Sequence, residues 1–273
     1  MPRDRPPVVA TLSTLETGPL PESFAAPSAI PVTPSSRTLL AIFTATLFLS
    51  AALVFLVEPM FAKMTLPLLG GAPAVWNTCI LFFQAALLGG YAYAHATTTF
   101  LQVRQQAVLH LVLLLISLSV LPIGMPSAWS QPSENDPIIW LLALLLVALG
   151  PPFFVLSATA PLVQSWFLRS GHPMAGDPYF LYVASNSGSL AALLAYPILL
   201  EPNLRLPDQS HLWTFGYLLL MLLLTVCIAA VWRAPTTSGP GVHHGENGQN
   251  GHGTPGHARL SLGLRIRWVL LAF

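Results

Sequence analysis

Apolar residues run along this chain in six stretches of about 20 residues, separated by short polar or proline-containing connections. A helix needs about 20 apolar residues to cross about 30 Å of hydrocarbon, so each stretch predicts a transmembrane helix. The predicted spans are residues 38–57, 74–95, 106–123, 138–156, 179–200 and 212–232. A seventh apolar run begins near Ile266 and stops at Phe273, which predicts that the chain is a fragment of a longer polypeptide.

The composition agrees with this pattern. The chain is 54% hydrophobic and 8% charged, whereas soluble domains carry about 25% charged residues. We therefore predict an all-α fold, a polytopic transmembrane helix bundle with six complete spans and a truncated seventh, whose first partner is the lipid bilayer. The net charge is +1 and no basic patch is interleaved with aromatic residues, so no nucleic-acid partner is expected.

Polar segments divide the chain around the six-helix domain at 38–233. Residues 1–37 are rich in Pro, Ser and Thr and predict a disordered cytoplasmic tail. Residues 234–263 are rich in Gly, His and Asn and predict a flexible cytoplasmic linker. Residues 264–273 are predicted to start the seventh helix.

The basic residues predict the orientation. With the N-terminus in the cytoplasm, only Lys63 and Arg205 fall on the outer side, which agrees with the positive-inside rule. The residues that then lie inside are Arg3, Arg5, Arg37, Arg104, Arg169, Arg233, Arg259, Arg265 and Arg267.

Two strings suggest an internal repeat. PMFAKMTLPLL begins at Pro59 and PFFVLSATAPLV begins at Pro152, and both continue to Thr, one further residue, Pro and Leu. AALLGGY at 85–91 is echoed by AALLAY at 191–196. The match predicts a 3+3 inverted repeat, in which spans one to three and four to six are related units of opposite orientation. A chance match between short apolar strings is the alternative.

Prolines mark candidate interruptions of the spans. Proline lacks a backbone N–H and clashes with the carbonyl four residues earlier. Such a break persists in a membrane where protein or a cavity surrounds it, so these positions predict either a binding site or a structural kink. The candidate helix breaks are Pro59, Pro67, Gly150, Pro151, Pro152 and Pro161.

Polar side chains inside or beside the spans are candidates for binding. Glu58 is an ionisable residue at the end of the first span, where it has either a functional role or an interfacial one. A same-face salt bridge from Glu58 to Lys63 would require a kink at Pro59. Amides within spans either line a cavity or form interhelical hydrogen bonds. The candidate binding residues are Glu58, Lys63, Asn77, Gln84 and Asn186.

Small residues recur at every fourth position on two spans, which predicts close approach of helix backbones there. They are Ala86, Gly90 and Ala94 on one span and Ala184, Gly188 and Ala192 on the other.

Catalytic and metal-binding patterns are not found in the sequence. It has no nucleophile elbow, P-loop, GxGxxG or HExxH motif, so no catalytic residue, metal site or cofactor is predicted within residues 1–273. The histidines of the linker match no zinc spacing and favour a solvated segment over a metal site. They are His243, His244, His252 and His257.

Two long strings carry a family resemblance. LVEPMFAKMTLPLLGGAPAVWNTCILFFQAALLGGYAYAH and GHPMAGDPYFLYVASNSGSLAALLAYPILLEP resemble the membrane part of bacterial fused major-facilitator and spermidine-synthase proteins, over about residues 38–233. The resemblance implies a helical membrane domain in the bacterial inner membrane. It also implies a following aminopropyltransferase-like domain, which in relatives binds decarboxylated S-adenosylmethionine and a polyamine.

The sequence departs from that family in two ways. It stops at Phe273, before any glycine-rich nucleotide loop or catalytic Asp, so no catalytic residue is carried over and enzyme activity is expected only in the missing C-terminal domain. The Gly-Asp-Arg loop typical of major facilitators is also absent, because residues 97–106 hold a single charge, Arg104.

Three hypotheses of function follow. The first is a membrane domain that anchors a polyamine aminopropyltransferase domain and supplies it with substrate. The second is a transporter-like half for a small organic or cationic substrate such as a polyamine. The third is a structural membrane anchor only.

Overall fold

The computed structural model describes residues 34–124, 137–170 and 172–233, and every regular element in these ranges is helical. The α-helices are α1 (Pro34–Leu69), α2 (Pro73–Phe100), α3 (Val103–Ser117), α4 (Pro137–Ala148), α5 (Gly150–Leu168), α6 (Tyr179–Ala195), α7 (Glu201–Asn203) and α8 (Leu206–Arg233). Two 3-10 turns, Leu118–Val120 and Pro173–Gly176, and one π-helical turn, Tyr196–Leu200, complete them. The predicted all-α fold is confirmed for this part of the chain.

Helix α1 lies at the centre of the bundle. Half of its most apolar window is buried, against 22–28% in the other long apolar helices. It packs against α5, α6 and α8, while α2 and α3 pack against α5. The helices around α1 keep large apolar side chains exposed, such as Leu81 at 62% and Phe215 at 67%. Soluble monomers rarely expose apolar surface of this extent, so these faces suit lipid.

Five described helices are long and apolar enough to cross a membrane, and the number reaches six if the pair α4 and α5 counts as one bent span. The structure is therefore compatible with a membrane protein. The fourth predicted span, 138–156, differs from the structure, because the helical pair continues to Leu168. The predicted linker at 234–263 and the seventh helix at 264–273 lie outside the described residues, as does the predicted tail up to residue 33.

The turn between α1 and α2 follows from two residues. Gly70 ends α1 with a positive φ of 69° and donates its N–H to the carbonyl of Leu66 at 2.9 Å. Glycine reaches this left-handed conformation without the steric cost that a Cβ brings. Pro73 then begins α2, where a missing N–H costs nothing. We call this end of the bundle the Leu69 end.

The interruptions expected at several prolines are not seen. Pro59 and Pro67 lie inside α1, and Pro161 lies inside α5. One missing N–H removes a single hydrogen bond, and a long helix packed on several sides tolerates that loss.

The break expected at Gly150, Pro151 and Pro152 is present. The axes of α4 and α5 differ by 63°, and Leu149 between them has a non-helical φ of −126° and ψ of −25°. Two consecutive prolines remove two donors, and the glycine before them adds backbone freedom, so the helix bends here.

The small residues lie at helix contacts, as predicted. A Cβ added to Gly188 of α6 would come within 2.2 Å of the carbonyl oxygen of Phe48 in α1. A Cβ added to Gly90 of α2 would come within 1.8 Å of Oγ of Ser157 in α5. Only glycine permits helix backbones to approach this closely.

Candidate ligand-binding site

The charged residues near the end of α1 do not pair with each other. Lys63 forms a salt bridge with Glu201 of α7, which is 138 residues further along the chain. Glu58 is half-buried and lies five residues before Lys63 on α1. Helix α1 continues through Pro59, so Glu58 and Lys63, five residues apart, point about 140° apart around its axis.

The three amides predicted within spans point away from the described bundle. Asn77 and Gln84 on α2 and Asn186 on α6 are all exposed. The structure therefore brings Lys63 alone, among the five candidate binding residues, into a site with another charged side chain.

The salt bridge lies on the wall of a cleft at the Leu69 end. The cleft has a volume of about 420 Å³. Its walls are apolar and aromatic apart from the two charges, and α1, α2, α6 and the segment after α6 contribute to it. The lining residues are Pro59, Ala62, Lys63, Leu66, Trp76, Leu193, Tyr196, Pro197 and Glu201.

Glu201 is not among the binding residues predicted from the sequence, although the sequence holds a signal for it. The string LLEP at 199–202 repeats the form of LVEP at 56–59, with an apolar run ending in Glu-Pro in both cases. Glu58 attracted attention because it follows the first long apolar run, and Glu201 follows the fifth in the same way.

A π-helical turn positions Glu201. Pro197 has no N–H to donate to the carbonyl four residues earlier, so the helix widens, and Glu201 donates its N–H to the carbonyl of Tyr196, five residues back. Single π-helical turns inside longer helices are frequent at functional sites. Glu201 begins α7 directly after this turn, with its side chain beside Lys63.

The salt bridge is accessible to a ligand. The side chains of Lys63 and Glu201 are 39% and 40% exposed. Pairs exposed to this degree contribute about 0–1 kcal/mol to stability, since water and salt screen the attraction. A charged ligand that makes better contacts can therefore replace one partner at small cost to the fold.

Tyr196 separates the cleft from a second cavity. It lines both, and its side chain is 5% exposed. The second cavity has a volume of about 210 Å³ and lies between α1, the π-helical turn and α8. Its lining residues are Leu49, Leu53, Leu56, Met60, Tyr196, Leu200, Gln209, Leu212, Trp213 and Gly216.

A third cavity, beside the bend between α4 and α5, has few polar groups that could recognise a ligand. It has a volume of about 600 Å³. Its lining consists of apolar residues, glycine and proline, such as Phe82, Phe154 and Gly150. An apolar groove of this kind suits an acyl chain and has no group that would select a polar substrate.

A buried polar cluster joins α3 to α5 away from the cleft. His110 is fully buried, and its Nε2 lies 3.1 Å from Oγ1 of Thr159. Because the hydroxyl of Thr159 donates to the carbonyl of Val155 at 3.0 Å, Nε2 of His110 carries the proton and donates to Thr159. Nearby, Nε1 of Trp166 donates to Oε1 of Gln106 at 2.9 Å.

This cluster holds helices together. Its rings pack on one another, with the centroids of His110 and Trp166 6.2 Å apart, and none of its members lines the cleft or the second cavity. Sequence analysis did not select His110, although a lone histidine in the apolar run AVLHLVLLL is a signal.

No metal site is found among the residues that the structure describes, since no group of three His, Cys, Asp or Glu side chains is close enough to hold an ion. The histidines of the linker, His243, His244, His252 and His257, lie outside those residues. The absence of a cofactor remains a prediction.

Comparison of the chain with protein-family models, with curated proteins and with solved structures gives no match. The resemblance to fused facilitator and synthase proteins therefore remains a prediction from the sequence.

Proposed function

We propose that this chain is a membrane domain that binds small organic cations of the polyamine type in the cleft at the Leu69 end and moves them across the bilayer. The observation that carries the proposal is the carboxylate of Glu201, held beside Trp76 and Tyr196 and neutralised by an exposed lysine.

The chemistry of the cleft fits an amine. A carboxylate and the face of a tryptophan both attract ammonium groups, and cation–π contacts contribute about 0.5–2 kcal/mol. Trp76 is 48% exposed, so its ring is available to a ligand. An incoming ammonium would replace Lys63 at Glu201, which exchanges one charge-assisted hydrogen bond for another. The apolar walls suit the methylene chain between the amines of a polyamine.

The pattern of helix contacts supports six spans arranged as a 3+3 inverted repeat, which is part of the proposal. If α1 corresponds to the pair α4–α5, α2 to α6 and α3 to α8, the contacts exchange in pairs. The contact of α1 with α6 becomes that of α5 with α2, and the contact of α1 with α8 becomes that of α5 with α3. Inverted repeats are common in secondary transporters, whose sites lie at the interface of the two repeats.

Location and orientation complete the proposal. The distribution of Arg and Lys favours a cytoplasmic N-terminus in a bacterial inner membrane, with the Leu69 end and its cleft on the outer side. In the fused form that the resemblance implies, the domain would supply a polyamine to a cytoplasmic synthase domain.

Uptake of radiolabelled spermidine into proteoliposomes tests the proposal. The variants are Glu201→Gln, Lys63→Gln and, as a matched control outside the cleft lining, Glu58→Gln. We expect Glu201→Gln to lower uptake at least tenfold, since it removes the carboxylate that faces the amine. Lys63→Gln should leave uptake unchanged or raise it, because the competing ammonium is gone. Glu58→Gln should behave like the unaltered protein.

Other outcomes would point elsewhere. If Glu201→Gln and Lys63→Gln lower uptake equally, the ligand carries both charges and the polyamine proposal fails. If Glu58→Gln abolishes uptake while Glu201→Gln does not, the cleft is not the site. If no variant and no tested amine shows uptake above that of empty liposomes, the structural-anchor hypothesis is favoured.

A further inference from the structure

Two side chains that line the second cavity each carry a buried polar atom with no hydrogen-bond partner within the described part of the chain. They are the hydroxyl of Tyr196 and Oε1 of Gln209. Both side chains line the cavity and are at least nine-tenths buried, Tyr196 at 5% exposure and Gln209 at 3%. An unpaired buried polar group costs about 1–3 kcal/mol, so two in one cavity predict that something occupies it.

The orientation of the Gln209 amide is determined by its other contact. Its Nε2 donates to the carbonyl of Leu204 at 3.0 Å. The reversed amide would place an oxygen against that carbonyl oxygen, which is repulsive. Oε1 is therefore the free atom, and it requires a donor from the occupant. The hydroxyl of Tyr196 can accept or donate.

Water alone does not fill this space well. The cavity measures about 210 Å³, and one water occupies about 30 Å³ of liquid volume. One water could bridge polar groups, but the remaining wall is aliphatic and aromatic, with Leu53, Met60 and Trp213 among its residues. Nε1 of Trp213 already donates to the carbonyl of Leu53 at 2.9 Å. Water in that part would lack the partners that hold ordered water.

The charge of the occupant is restricted as well. No carboxylate and no basic side chain lines this cavity, unlike the neighbouring cleft with Lys63 and Glu201. Placing an unpaired ammonium or carboxylate among apolar side chains is strongly unfavourable. A neutral donor such as a hydroxyl avoids that cost. Leu212, 47% exposed, lines the cavity, so a molecule dissolved in the membrane can enter beside it.

We propose that this cavity is a second binding site, for a small neutral alcohol whose hydroxyl lies between Tyr196 and Gln209. The hydroxyl donates to Oε1 of Gln209 and pairs with the hydroxyl of Tyr196, and the apolar body of the molecule packs against the leucines and Trp213. The proposal does not depend on transport of cations, because the two sites share Tyr196 alone among their lining residues.

Binding of 4-fluorobenzyl alcohol to the protein in lipid nanodiscs, followed by ¹⁹F NMR, tests the proposal. The comparison probe is 4-fluorotoluene, which has a similar shape without the hydroxyl. We expect saturable binding of the alcohol above its partitioning into empty nanodiscs. Gln209→Leu and Tyr196→Phe should each weaken it roughly two- to tenfold, the effect of one hydrogen bond. Gln84→Leu, at an exposed glutamine of α2, should leave it unchanged.

Two variants keep the test valid if one fails to fold. Gln209→Leu also loses the bond to Leu204, whereas Tyr196→Phe keeps the ring and removes only the hydroxyl. If the alcohol and 4-fluorotoluene bind equally, and neither variant changes the affinity of the alcohol, the cavity is an apolar groove for lipid chains and the proposal is wrong. Absence of saturable alcohol binding to a folded protein would likewise overturn it.

Discussion

Helices α1 and α5 are the two that contact most of the bundle, and both contain proline, yet they differ in shape. Helix α1 runs through Pro59 and Pro67 without interruption. The helix pair α4 and α5 bends by 63° at Leu149, directly before Gly150 and two prolines. A proline in a packed membrane helix therefore does not by itself produce a break. The consecutive loss of two donors beside a glycine does.

The two shapes create different spaces. Helix α1 supplies Lys63, Ala62 and Pro59 to the cleft at the Leu69 end, and it forms one face of the second cavity. The bend between α4 and α5 opens the apolar groove of about 600 Å³. The cleft and the second cavity, which both have polar lining residues, thus lie along α1, and the apolar groove lies beside the bend.

The threonines that follow the prolines also differ between the two helices, because only the one in α5 forms a hydrogen bond to another helix. Thr159 of α5 accepts a hydrogen bond from His110 of α3. Thr65 of α1 is equally buried but donates only within its own helix, to the carbonyl of Ala62 at 2.9 Å. The two positions match in sequence and differ in their partners.

The largest expected effect comes from separating α1 from α6. Gly188→Ala would place a Cβ 2.2 Å from the backbone carbonyl oxygen of Phe48, so a backbone must move. Overpacking a tight contact costs about 1–3 kcal/mol and more where no side chain can yield, so we expect about 3 kcal/mol or more. Thermal unfolding in detergent measures it.

Gly89→Ala is the matched control. Its Cβ would lie 3.5 Å from the ring of Phe154, an ordinary contact, and alanine favours a helix over glycine by about 1 kcal/mol. We expect no loss of stability. If Gly188→Ala is as stable as Gly89→Ala, the close approach of α1 and α6 is wrong.

The second effect concerns the bend. Replacing both Pro151 and Pro152 by alanine restores two N–H donors, and we expect α4 and α5 to straighten. At about 1.5 Å per residue and a bend of 63° at Leu149, the distance between positions 139 and 168 should rise from about 38 Å toward about 44 Å in a straight helix. The two native cysteines, both buried, are first replaced, and spin labels are attached at Ile139 and Leu168, which are exposed. Double electron–electron resonance spectroscopy then measures the distance between the labels.

The same substitution in α1 sharpens the comparison. Pro59→Ala should leave the distance between labels at Ala41 and Leu68 near about 40 Å, since that helix is already continuous. A shift of several Å in α1, or none in the α4–α5 pair, would contradict the assignment of the bend to the double proline.

Much of the fold was predictable from the sequence, because each long apolar run is close to the length that a membrane-crossing helix needs. Small residues at every fourth position also mark the contacts of α2 and α6. The bend at Gly150 was predictable from local chemistry. The continuity of α1 was not, since whether a single proline interrupts a helix depends on neighbours that pack around it. The partner of Lys63 was also beyond reach, because a contact across 138 residues depends on how helices assemble.

The smallest expected effect is a difference in stability between two tryptophan variants, one in α5 and one that contacts α1. Trp166 of α5 and Trp213, which contacts α1, are 1% and 3% exposed, so replacing either by phenylalanine removes a similar volume. Trp166→Phe leaves Oε1 of the fully buried Gln106 without its donor, at a cost of about 1–3 kcal/mol.

Trp213→Phe removes the side-chain donor to the carbonyl of Leu53, but this backbone group inside α1 keeps its helical hydrogen bond. The loss of folding free energy should therefore be about 1 kcal/mol smaller than for Trp166→Phe. Chemical unfolding of both variants under identical conditions measures the difference. An equal or larger loss of stability for Trp213→Phe would mean that α1 depends on this side-chain contact as strongly as α5 depends on its own. Specific hydrogen bonding would then stabilise the position of α1 together with the close packing at Gly188.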